Sequence, residues 1–147
     1  MPETDVDRSE TMQRLRAQRD RLRDCLLALE TVLNDDDSQL IGDDTAAKLV
    51  ALAQAFDAHV TFAEGPDGLY QDLLDDSFEV ASEIDHLRRE HGLISQALAT
   101  ADARIQGADT RGARSAIQNV VKLLTQHRQH GADLLYHAYN VDVAAGD

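Results

Sequence analysis

Four residues have the types and spacing to do chemistry together: Arg19, His59, His91 and His127. Each interrupts an apolar stripe of helical period on a different stretch of chain. The first stripe runs Met12, Leu15, Arg19, Leu22, Leu26, Leu29, Leu33, and the second Leu49, Leu52, Phe56, His59, Ala63. The third runs Val80, Ile84, Leu87, His91, Ile94, Leu98, Ala101, Ile105, and the fourth Ile117, Val120, Leu124, His127, Gly131, Leu134, Ala138. Apolar residues three and four apart share one face of a helix. One nitrogen-bearing side chain per stripe predicts a polar layer inside a bundle, where helical proteins build metal sites. Imidazole suits iron, zinc and copper. One histidine on an apolar face reads first as a hydrogen-bonded core residue. Three of them, one per helix, put a present or ancestral metal site on an equal footing.

The elements that must position this layer are four long helices, at about residues 9–33, 44–64, 78–105 and 112–139. Ser9 and Asp43 or Asp44 suit N-caps. Gly65 and Pro66 stop the second helix, and Gly107 suits the C′ position of the third. Residues 66–77 form a connector with one helical turn around Leu69 to Leu74, and the tail from Val141 reads as irregular. Short connections make neighbours antiparallel, so the expected fold is all-α: one up-down-up-down four-helix domain over residues 1–147. At a rise of about 1.5 Å per residue, Arg19, His91 and His127 lie roughly 15, 20 and 18 Å from one end of the bundle, and His59 roughly 8 Å.

The net charge is −13, from 27 acids against 14 bases. Such a surface repels phosphate backbones and anionic lipid, which argues against nucleic-acid and membrane partners. Cys25 is the only cysteine, so an internal disulfide is excluded, and its place beside Leu26 suggests a buried, inert thiol. The acidic start from Met1 to Asp7 has no signal-peptide pattern, and the expected location is cytoplasmic. The sequence names no partner; bundles of this kind often pair as homodimers through an exposed helix seam.

Three segments resemble the bacterial hemerythrin-like proteins, the HHE cation-binding domain family. The first holds His59, Glu64 and Gly65 and continues through Asp67, Gly68, Leu69 and Tyr70. The second holds Leu87, Glu90, His91 and Ile94. The third holds Leu123, Leu124, Gln126 and His127, with Leu134, Leu135, Tyr136, His137, Ala138, Tyr139, Asn140 and Asp142 after it. The likeness spans about residues 10–147. It implies a four-helix bundle with a carboxylate-bridged di-iron centre that binds or senses oxygen.

The departures fall on the ligands. The resemblance puts a first-helix histidine at Arg19 and the two iron-bridging glutamates at Ala63 and Gly131. Two metal ions about 3.5–4 Å apart need anionic bridges, and Ala63 and Gly131 supply none. Arg19 adds a permanent cation. Arg19 and Glu64 are assigned to an interior polar layer. Arg19 points inward to acceptors, or else its stem runs out to solvent. Glu64, about 100° around the helix from Ala63, is expected at a seam or in solvent more than in the pocket. His130 and Asp133 flank Gly131, His86 and Glu90 read as a surface i, i+4 pair, and His137 reads as structural.

The leading expectation is a degenerate hemerythrin-like domain that has lost its di-iron centre. It would have no cofactor and serve as a scaffold, interaction or sensor module. The alternative is a metal-binding protein for oxygen or redox sensing, with iron or one divalent transition ion on His59, His91 and His127; a shortage of outer acids weighs against it. The chain has no nucleophile–base pair, Gly-rich phosphate loop or Cys-x-x-Cys pair, so catalysis is not expected.

Overall fold

A computed structural model of the chain describes residues 5–139, with side chains from Ser9 onward. The expected irregular tail lies outside the described residues. Helix α1 spans Asp5–Thr31 and runs into a 3-10 turn at Val32–Asn34; α2 is a single turn at Asp37–Leu40 and α3 spans Asp43–Glu64. Helix α4 spans Leu69–Asp76, a second 3-10 turn covers Phe78–Val80, α5 spans Ala81–Gln106 and α6 spans Thr110–Tyr139. There is no strand among the described residues, and no helix of theirs is long and apolar enough to cross a membrane. The reason for so much helix is local. Proline occurs only at Pro2 and Pro66, and the long segments are rich in Leu, Ala, Arg and Gln, which lose little side-chain freedom in a helix.

The four long helices pack in a ring, α1 against α3 and α6, and α5 against α3 and α6. Their stripes meet in two apolar clusters. The larger holds Leu22, Leu29, Leu52, Phe56, Ile94, Leu98, Ile117 and Leu124. The smaller holds Leu15, Ala63, Leu69, Tyr70, Leu73, Ile84, Leu87, Leu134 and Leu135. In each stripe the interrupting residue stands where the chain passes from one cluster to the other.

Several ends differ from expectation. Ser9 lies inside α1, which begins at Asp5. Gly42, not Asp43 or Asp44, is the N-cap of α3, and the two acids sit in its first turn, where they complement the helix dipole. The left-handed residue after α5 is Ala108, with φ 54°, one position beyond Gly107. The Asp109 carboxylate caps α6 by accepting from the Gly112 amide at 3.0 Å. The connection after α1 is not a bare loop. Arg114 on α6 donates to the carbonyls of Leu33 at 2.7 Å and Asp35 at 2.9 Å, and to the Asp37 carboxylate at 3.0 Å. Cys25 is half-buried against the larger cluster, less enclosed than expected.

The connector after α3 brings α4 under the bundle. Gly68 makes this turn possible. A Cβ there would stand 2.7 Å from the Phe62 carbonyl oxygen, 2.8 Å from that of Gly65 and 2.9 Å from that of Ala63. No side chain fits, and the close turn delivers Tyr70 to the polar layer.

Candidate metal centre

His59 on α3, His91 on α5 and His127 on α6 meet at their Nε2 atoms. The separations are 3.1 Å between His59 and His127, 3.2 Å between His91 and His59, and 3.1 Å between His91 and His127. The count along each helix left His59 about two turns lower; the helices are offset, and the three rings are level.

Each of two rings is aimed by an acid. His91 donates from Nδ1 to Glu64 Oε2 at 2.9 Å, and His127 donates from Nδ1 to Glu90 Oε1 at 3.0 Å. A carboxylate can only accept here, so both Nδ1 atoms hold the proton and both Nε2 atoms present a lone pair. These corrections matter for the chemistry. Glu64 stays open to solvent, yet it also bonds a buried ring. Glu90 is not a surface partner of His86 alone; its side chain is only 13% exposed and supports His127. The expected shortage of outer acids does not exist.

Burial is the main cause that holds all three imidazoles neutral. It pushes His59 well below its ordinary value, with the neighbouring His127, His91 and Arg19 adding to the effect. His127 is lowered to about 3, by burial first and then by His91, His130, Arg19 and His86. His91 is lowered by burial against the opposing pull of Glu64. Two Nε2 lone pairs 3.1 Å apart, with both protons committed to acids on the far side, repel each other, and a cation between them or an N–H from His59 relieves this. An ion about 2.0–2.1 Å from each nitrogen, in a tetrahedral set, spaces its ligands about 3.3 Å apart. The observed triangle needs only a small expansion to hold one and leaves a fourth position open.

Phe56, one turn before His59, is the floor, with ring centres 5.7 Å from His91, 6.1 Å from His59 and 6.5 Å from His127. Tyr70 stacks on His91 and sets its hydroxyl 3.4 Å from that Nε2. Burial, with the negative charge of Glu64 next in size, raises the phenol's pKa and keeps it protonated. Arg88 lies over the outer face of Tyr70 and near Glu64.

Arg19 is buried, at 8% exposure. Its Nη1 donates to the Arg128 carbonyl at 3.5 Å. The same Nη1 stands 3.5 Å from where a Cβ on Gly131 would be. That is an ordinary contact distance, so Arg19 lies alongside Gly131. Ala63 is fully buried in the smaller cluster. Neither position can furnish a carboxylate, so the residues present do not fit two bridged irons. Arg19, His59, Tyr70, His127 and Gly131 line a cavity of about 30 Å³ beside the triad, room for a water-sized molecule.

No family model, characterised protein or solved structure matches this chain.

Proposed function

We propose that this chain is a degenerate hemerythrin-like domain, of up-down-up-down topology, in which one divalent transition ion on His59, His91 and His127 replaces the paired irons. Its role is that of a sensor or small-ligand binding module. The observation that carries this reading is the convergence of three neutral Nε2 atoms, two of them oriented from behind by Glu64 and Glu90. Carboxylate, histidine and metal in series is how proteins fix the tautomer and raise the basicity of a ligating ring. Three imidazoles around an open position suit zinc or copper, and iron less well without an anionic ligand.

The ion would supply Lewis acidity at that open position. The chain's own residues define what can enter. The cavity admits a molecule of one or two heavy atoms, the Tyr70 hydroxyl is a hydrogen-bond donor, and the Arg19 guanidinium favours a negative charge.

Metal-stripped protein titrated with Zn²⁺ is expected to take up one tightly held ion per chain, lost in His59→Ala. Two irons per chain after growth in iron would overturn the single-ion reading. No ion on a folded protein would return the chain to a metal-free scaffold. The hemerythrin likeness has its own test. The triple variant Arg19→His, Ala63→Glu, Gly131→Glu restores the family's ligand set and is expected to gain iron; a folded variant that gains none defeats the likeness.

A further inference from the structure

Three of the six histidines form the triad, and two others, His86 and His130, join Glu90 in a second group outside the cavity just described. His86 and Glu90 on α5 face His130 on α6 at the surface. His130 donates from Nδ1 to Glu90 Oε2 at 2.7 Å, and His86 Nε2 lies 3.5 Å from the same oxygen. The three ligand atoms all lie within 4.8 Å of one another. The His86 and His130 rings are 5.1 Å apart, edge to face, at the head of a surface groove that also holds Glu83 and Asp133.

We propose that His86, Glu90 and His130 form a second, solvent-facing site for a divalent transition ion of borderline softness, such as Zn²⁺ or Ni²⁺. Two imidazoles and one carboxylate are an ordinary ligand set for such an ion. His86 and Glu90 are one helical turn apart, so their side chains leave α5 on one face. His130 comes from the facing helix. The site needs no rearrangement of backbone; on binding, His130 carries its proton on Nε2 so that Nδ1 ligates, and His86, more than half exposed, has the freedom to close the remaining gap. The acidic surface, at net −13, raises the local concentration of cations.

Glu90 belongs to both groups. Its Oε2 faces the outer pair while its Oε1 accepts from His127. An ion on Oε2 draws charge from the carboxylate and weakens its hold on the His127 Nδ1 proton. The His127 Nε2 then becomes a poorer ligand. Outer occupancy therefore lowers inner affinity, and by linkage the reverse holds to the same factor. The outer site stands without the inner one; this coupling rests on the single-ion reading above.

Zn²⁺ calorimetry on the His59→Ala, His91→Ala chain, which keeps the outer group intact, should find one weakly bound ion. Adding His86→Ala and His130→Ala, both at exposed positions, should weaken it at least tenfold. An unchanged affinity, or no ion in the parent variant, overturns the outer site. Ring-proton NMR of the full chain titrated with Ni²⁺ covers the case in which the inner substitutions unfold the protein. His86 and His130 should respond in a step separate from His59, His91 and His127; a response confined to the inner three overturns the assignment. For the coupling, His86→Ala with His130→Ala should tighten inner Zn²⁺ binding several-fold at saturating metal, and no change rejects it.

Discussion

The two apolar clusters are built differently, and the polar layer is the line between them. The larger one is made mostly by the four long helices, with Val32 and Leu40 added from the short elements after α1, and most of its side chains are leucine, isoleucine, valine and alanine at helical spacing. The smaller one needs an extra piece, α4, and a turn in which only glycine fits. Stability is thus concentrated in the part whose pattern is most regular. Chemistry is placed at its edge, where Phe56 gives the rings a rigid apolar floor and α4 closes the other side.

The largest effect should come from breaking the larger cluster. Leu52→Ala removes a fully buried side chain and should cost about 2–5 kcal/mol in denaturant unfolding. Metal affinity of the molecules that remain folded should be unchanged; a parallel loss of affinity would mean that the two regions are not separable. Next, Glu90→Gln or Glu64→Gln should leave the fold intact and weaken inner Zn²⁺ binding about 10–100-fold. Calorimetry with unaltered affinity in both variants would remove the acids from the site. Gly68→Ala forces a Cβ against three carbonyls and should lower stability by about 1–3 kcal/mol, with the greatest loss of hydrogen-exchange protection in α4. Uniform loss across α1 to α6 would erase the distinction between the clusters.

The last effect is a pH dependence that arises in the polar layer. Folded His127 titrates at about 3, against 6.5 for an ordinary imidazole. Between those values the unfolded chain binds a proton that the folded one refuses, so stability rises with pH across that window. Metal-free protein should therefore lose stability as pH falls below about 6.5, and His127→Leu should flatten this slope. Equal slopes in the two proteins would show that other groups set it.

Much of this was legible in the sequence because it depended on one helix at a time. The stripes located His59, His91, His127 and Arg19 on the inner faces, and the paired Gly65 and Pro66 marked where α3 ends. What depended on two helices was not legible. Glu90 is one residue before His91, and its pairing within α5 pointed to His86. Its stronger partners, His127 and His130, come from α6, and no spacing within a sequence gives the register between helices. A chemical signal existed: each buried imidazole that offers Nε2 needs an acceptor for its Nδ1–H, and Glu64 and Glu90 are acids close in sequence to His59 and His91. The levelling of the three rings and the short helix at Asp37–Leu40 likewise depend on how helices slide and how α6 holds the first connection.

That hold has a consequence for how the protein is made. Arg114 grips two backbone carbonyls and one carboxylate 77 to 81 positions earlier in the chain. During synthesis the first connection waits, without its clamp, until the start of the last helix has emerged. Contacts of such long separation form only after the intervening loop has closed. The clamp is therefore among the last links to close on the ribosome, and a chain stalled before residue 114 would display α1 and α3 joined by an unfastened hinge.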